Sequence, residues 1–313
     1  MKTLFFYVVT VLIWGSTWFA IKLQLQSVPS QVSVAYRFAL AALILFAWCW
    51  IRRLPLRFSF RQHLWLMLQG ITVFSTNYVL FYEAEKHLVS GSVAIIFSVL
   101  VVFNILNHWF FFRVKPTYQV IVGAVLGLLG IMLTFWHELM NLGSSLDNVF
   151  GIGLSLVGTV CASFGNMIFA RLRKDEMPIV QGNAFGMLYG TAVLMAYAGF
   201  SGGKFSFDAS PSYVLSLLYL SLFGSVIAFG CYLTLVGRIG ADRAAYCSVL
   251  FPIVALGLST AFEGYRLNAL SGLGIVLVLV GNVLVLARKQ PSRPAPGSKP
   301  ATTETAQALE AKP

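Results

Sequence analysis

Ten apolar runs, each of about eighteen residues or more, set what this chain can become: Leu4–Ile21, Val32–Ile51, Leu64–Phe81, Ser92–Phe112, Tyr118–Trp136, Phe150–Phe169, Gly182–Phe200, Tyr213–Val236, Ala244–Phe262 and Leu270–Ala287. A helix rises about 1.5 Å per residue and the bilayer's hydrocarbon core is about 30 Å thick, so each run can cross it. Lipid offers the backbone no hydrogen-bond partners, so a crossing segment must bond within itself, as a helix. The short alternating segments of a membrane barrel are absent. The expected fold is an all-α membrane protein of ten transmembrane helices. The first run begins like a signal peptide, with Lys2 before an apolar core, but it lacks a small-residue cleavage site and counts as a span.

The charge agrees. Only 11% of residues are charged, against about 25% in a water-soluble protein. The net charge of +11 does not imply nucleic acid, because the cations are sorted by side. With ten spans, 17 Lys and Arg fall on the side of the termini, four (Lys22, Lys86, Lys204, Arg266) fall on the other, and Arg37 lies inside a span. That bias places both termini in the cytoplasm of a multi-pass inner-membrane protein. Cys49, Cys161, Cys231 and Cys247 lie in or beside spans without ligand spacing, so neither a metal site nor a disulfide framework is expected. No cofactor is implied.

The chain also repeats itself. At an offset of 150, Gly15, Phe19 and Ala20 fall on Gly165, Phe169 and Ala170; Ser75 and Tyr82 on Ser225 and Tyr232; Ser98, Val99 and Leu100 on Ser248, Val249 and Leu250. With one residue of slip, Gly123 and Gly130 fall on Gly274 and Gly281. The expected units are residues 1–140 and 150–287, followed by a disordered cytoplasmic tail, 288–313. Five spans per unit is odd, so the second unit must enter the membrane upside down. Two inverted five-helix repeats are a plan of secondary transporters, which bind substrate between the halves near the midplane.

The segments "IWGSTWFAIK", "YRFALAAL", "NYVLFYEAEKHLVSG" and "FPIVALGLSTAFEGYR", with the following "GLGIVLVLVGNVL", resemble the EamA type of the drug/metabolite transporter superfamily over about residues 4–287. The resemblance implies ten helices in two repeats, cytoplasmic termini, and export or exchange of small metabolites. The family's proline in the fourth span and the glutamate near its end are present in the second copy as Pro252 and Glu263; the first copy has Val102 and Arg113 there.

Polar and aromatic residues within spans are the candidates for a substrate cavity: Trp14, Ser16, Thr17, Arg37, Asn77, Tyr78, Tyr82, Ser98, Asn104, Asn166, Tyr232, Tyr246 and Ser248. Tyr82 and Tyr232 are expected at symmetric positions facing the pseudo-axis. Arg37 sits near the outer end of its span, where it either faces the cavity to attract an anionic group or snorkels to water. Glu83, Glu85, His108 and Glu263 are candidates for exchanging a proton. Glycines recur at helical spacing in spans five and ten, as helix-packing faces or a dimer face. The expected partners are a small-molecule substrate and membrane lipid, with no nucleic acid, in a monomer or homodimer. The competing classes are a membrane enzyme on a lipid-linked substrate and a channel. The chain has no H-E-x-x-H or phosphate-cradling G-x-x-x-x-G-K motif, and an inverted repeat suits a two-state carrier better than a pore.

Overall fold

A computed structural model describes residues 2–25, 27–113, 115–136, 146–202, 204–239 and 247–286. These form ten helical rods. They are α1 (Lys2–Lys22), α2 (Ser30–Ile51), α3 (Phe60–Ile71, Thr72–Thr76 and Asn77–Ala84 end to end) and α4 (Ser90–Ser98 and Leu100–Phe112). Then follow α5 (Tyr118–Thr134), α6 (Leu146–Lys174), α7 (Ile179–Phe200) and α8 (Pro211–Leu218, Tyr219–Ile227 and Ala228–Ile239). The last two are α9 (Cys247–Phe262) and α10 (Ala269–Leu286). Seven are long and apolar enough to cross a membrane; α5, α9 and α10 are shorter apolar helices. The stretch expected as a disordered tail lies outside the described residues.

Local chemistry sets several boundaries. Ser59 starts α3 with a reciprocal cap: its hydroxyl accepts from Gln62 N, and Gln62 Oε1 accepts from Ser59 N at 2.8 Å. Ser210 starts α8 with a one-way cap, accepting from Tyr213 N, with Pro211 at the first helical position. The middle segments of α3 and α8, Thr72–Thr76 and Tyr219–Ile227, are π-helical. These are equivalent places in the two halves. Such turns are rare, and they recur at functional sites.

The packing has two-fold symmetry. α1 lies on α9 as α6 lies on α4; α3 lies on α6 as α8 lies on α1; α3 lies on α7 as α2 lies on α8. α2, α4 and α5 each pack on their own counterparts, α7, α9 and α10. Helix direction follows from contact order. Along α3 and α6, Val73, Phe81 and Leu88 meet Gly165, Gly158 and Gly151, so the two are antiparallel. Leu66, Gly70 and Phe74 rise together with Gly182, Gly186 and Gly190, so α3 and α7 are parallel. Phe46 meets Phe185 while Val32 and Ala198 share one cluster, so α2 opposes α7. Ser33 bonds Tyr213 and Arg37 bonds Ser225, so α2 and α8 run together. Ser16 bonds Tyr219 while Val11 and Leu235 share one cluster, so α8 opposes α1. Chaining these relations makes α1 and α6, the first helices of the two halves, antiparallel. The repeat is inverted.

The glycine faces of α5 and α10 are used inside the chain. A Cβ on Gly274 would lie 2.5 Å from Gly130 O, and one on Gly281 would lie 2.5 Å from Gly123 O. Small residues let the two backbones touch, which is how helices bind where lipid supplies no hydrophobic drive. This contact is the helix-packing role expected of these glycines. It also closes on itself under the repeat, since Gly123 and Gly130 correspond to Gly274 and Gly281.

Candidate functional site

Six helices, α1, α3, α4, α6, α8 and α9, enclose a cavity of about 400 Å³. The pairs α2–α7 and α5–α10 stand outside it. Eight aromatic side chains form most of its wall: Trp14, Trp18, Tyr78, Phe81, Phe97, Phe229, Tyr232 and Phe251. Thr17, Asn77, Asn104, Asn166 and Ser248 add polar groups, and among the described residues no acidic or basic side chain lines it. Trp14 meets Tyr232 at 5.1 Å and Phe229 edge-on at 5.3 Å, and its indole N–H donates to Gly224 O at 3.3 Å. Those contacts bind α1 to α8. On the facing wall Asn166 Nδ2 donates to Asn104 Oδ1 at 3.1 Å, and Asn107 Nδ2 donates to Ser163 Oγ at 2.8 Å.

Asn77 is the first residue after the π turn of α3. It is 4% exposed, and its Oδ1 has no hydrogen-bond partner among the described residues. A buried carbonyl left unpaired costs about 1–3 kcal/mol. Asn77 lies in the wall of a cavity, and a turn of its amide would offer that carbonyl to a bound N–H or O–H.

Seven of the sequence candidates therefore meet at the cavity: Trp14, Thr17, Asn77, Tyr78, Asn104, Asn166, Tyr232, and with them an eighth, Ser248. Others are placed elsewhere. Ser16 bonds Leu12 O and Tyr219 OH, and Ser98 bonds Ile95 O. Tyr246 and the side chain of His108 lie outside the described residues. Tyr82 does not face the cavity as its partner Tyr232 does: it is buried behind the wall and donates to Gln24 Oε1 at 2.7 Å. The aromatic liners Phe81, Phe97, Phe229 and Phe251 escaped the sequence reading, because within an apolar run they look like core.

Arg37 neither lines the cavity nor snorkels. It is 2% exposed, and its guanidinium lies over Tyr78, 4.7 Å from the ring centroid, with Phe38 at 5.3 Å. Its Nε donates to Ser225 Oγ at 3.2 Å, and its backbone carbonyl accepts from Ser221 Oγ at 3.0 Å. Arg37 thus grips the π turn of α8 and supports Tyr78 from behind.

A polar cluster closes the cavity at the end remote from the N-terminus, here called the distal end. Lys22 follows Ile21, a cavity residue; its ammonium donates to the backbone carbonyls of Glu85 and, at 3.3 Å, Leu88. Glu263 reaches from the end of α9 to the start of α4. It accepts from Ser90 N at 3.0 Å, from Ser90 Oγ at 2.8 Å and from Ser259 Oγ, while Ser259 Oγ also accepts from Gly91 N at 2.8 Å. A carboxylate there satisfies the free N–H groups of the α4 N-terminus. Glu85, in the turn after α3, is fully buried, with no partner for either carboxyl oxygen among the described residues. Burial pushes its carboxyl well above the usual carboxylate range; Lys22 opposes that shift, Glu263 reinforces it and Arg37 opposes it. Glu83 points to the surface and pairs with Lys86 at 2.8 Å.

The chain matches the EamA-like transporter family over residues 1–136 and 149–287. It is 29% identical over 290 residues to YedA, an uncharacterized inner membrane transporter of Escherichia coli strain K12, covering 90% of each chain. It is 26% identical to protein PagO of Salmonella typhimurium, over 90% of this chain and 92% of that one. It is 24% identical to the uncharacterized transporter YoaV of Bacillus subtilis, over 93% and 99%. A protein crystal structure superposes with a TM-score of 0.64 at 18% identity, covering 99% of this chain and 98% of the other, which is a likeness of fold. With its two matched segments falling on the two inverted halves, this chain belongs to the EamA-like transporter family.

Proposed function

We propose that this membrane transporter is a secondary carrier that exports small organic metabolites, such as amino acids or related compounds, across the inner membrane by alternating access. The observation that carries this reading is the cavity between the halves, with its aromatic wall and the unpaired Asn77 carbonyl. A wall whose described residues carry no charged side chain favours a substrate held by π faces and a few hydrogen bonds. Such a substrate has a ring or an amine, and an N–H or O–H for Asn77. The basic loops share the end that carries the N-terminus. That end is taken as cytoplasmic, and the distal end as periplasmic.

Counterflow in proteoliposomes tests the reading. Unlabelled metabolite inside should accelerate entry of the labelled one, as a carrier requires. Asn77→Ala should lower exchange about tenfold, the loss expected for one good hydrogen bond of about 1.4 kcal/mol. Flux without trans-stimulation would mean a channel, and appearance of a product would mean an enzyme.

A further inference from the structure

The buried carboxyl of Glu85 has no task in holding the fold. Glu263 caps α4, Glu83 pairs at the surface, and Arg37 grips α8. Glu85 sits among all of them with both oxygens unpartnered. Four elements present a titratable or charged group to it: α1 with Lys22, α2 with Arg37, α3 with Tyr82 and the end of α9 with Glu263. In the same turn Glu83 is spent on Lys86, and His87 on Asp147 at 2.8 Å. Among the described residues Lys22 gives its hydrogen bonds to backbone carbonyls and none to the Glu85 carboxyl.

The second half shows that the scaffold does not require this charge. At the repeat offset Lys22, Arg37 and Glu85 correspond to Leu172, Met187 and Leu235, all three buried. The same helix-end geometry is built there from apolar side chains. At these three paired positions the ionisable side chains belong to the first half alone.

We propose that Glu85 is the proton-binding site of the distal gate: its carboxyl binds a proton as α1, α3, α4 and α9 close over the cavity, and releases it to the aqueous phase when they part. Closing removes water from the carboxylate, and the O–H bond forms with a proton delivered by hydronium, whose own O–H bond breaks and which departs as water. Opening re-admits water; the O–H bond breaks, the proton leaves as hydronium, and the carboxylate is hydrated beside Lys22. The neutral acid suits the dry, closed site and the ion suits the open one. Acid therefore holds the gate shut and alkali releases it. The inference rests on the alternating-access reading above, since it assigns a chemistry to one of the two gates.

The test uses the full chain in detergent without substrate. Infrared spectra should show a protonated-carboxyl stretch at neutral pH that is absent from Glu85→Gln and kept in Glu263→Gln. With the native cysteines replaced, spin labels at Lys86 and Leu267, both exposed at the distal end, should move apart as pH rises. In Glu85→Gln, a permanent mimic of the neutral acid, their distance should stay short at every pH. If that variant does not fold, Lys22→Gln carries the test: without the ammonium, the opening midpoint should move to higher pH. Persistence of the band in Glu85→Gln, or a distance that ignores pH in the wild type, or an unmoved midpoint in Lys22→Gln, would overturn the proposal. None of these readouts needs transport, so a chain that moves no tested metabolite would refute the carrier reading and leave this one to be judged separately.

Discussion

The two halves share a backbone plan and differ in what they bury at the ends of the cavity. Both have a serine-capped helix with a π turn, α3 and α8, and a serine bonding backward within that turn, Ser75 to Ile71 O and Ser225 to Leu220 O. Yet the first half places the half-buried Lys22 and the buried Arg37 and Glu85 where the second buries Leu172, Met187 and Leu235. Glu263 at the end of α9 faces its counterpart Arg113 in the same contrast: one caps a helix inside the protein, the other is exposed in a left-handed turn at the end of α4. The repeat gives these equivalent places one geometry, and their residues give them different chemistry, apolar in the second half and ionisable in the first. On the carrier reading proposed above, identical ends would respond alike to both sides of the membrane, whereas these two differ.

The strongest way to break that comparison is to move the acid across it. Leu235 is fully buried beside Val11 and Cys247, with no equivalent of Lys22 at hand, since residue 172 is a leucine. Leu235→Glu should cost about 3–5 kcal/mol, the scale of an uncompensated buried charge, and should show as a large fall in unfolding temperature. The reverse exchange, Glu85→Leu, should leave stability within about 1 kcal/mol, because replacing a buried ionisable group by an apolar one is often neutral. Equal effects of the two substitutions would mean that the ends are not chemically distinct.

A smaller effect is expected where the two halves differ at the rim. Glu263→Gln keeps the shape of the α4 cap and removes its charge. It should cost about 1–2 kcal/mol, in the range of a helix cap built on charge-assisted bonds. Arg113→Gln, at the equivalent place, should stay within about 0.5 kcal/mol, as exposed substitutions do. Thermal unfolding of the two variants side by side measures the difference. A cost at Arg113 as large as at Glu263 would remove the rim from the contrast between halves.

What the sequence could and could not reveal follows the same line. Run length alone predicts ten spans, because lipid forces each long apolar run into a helix, and an odd count per repeat forces inversion. The polar members of the cavity, such as Asn77, Asn104 and Asn166, are visible because an amide inside a span is conspicuous. The aromatic wall is not, since Phe97 or Phe251 in an apolar run is spelled like any core residue. Nor does spacing reveal a π turn: Ser75 and Ser225 stand out as a repeated pair, not as residues of a widened helix. Tyr82 and Tyr232 show that a symmetric position need not keep its role, because the cavity reaches Tyr232 and stops short of Tyr82. Glu83 and Glu85 look interchangeable in the string "YEAEK". Two residues along a helix end turn a side chain through about 200°, and that rotation alone sends one carboxyl to water and the other into the protein.

That pair supplies the finest test. Glu83 is about one-third exposed and bonds Lys86 through both carboxyl oxygens at 2.8 Å. An exposed pair of this kind contributes about 0.2–0.5 kcal/mol, since water and salt screen it. Glu83→Gln should therefore shift the unfolding temperature very little and leave the pH response of the distal gate where it was. Glu85→Gln, two residues away and with the same change of atoms, should abolish that response. The two substitutions remove the same charge from the same turn, so any difference between them comes from burial. If Glu83→Gln flattened the pH response as well, the charge of the turn as a whole, and not the enclosed carboxyl, would be what the gate senses.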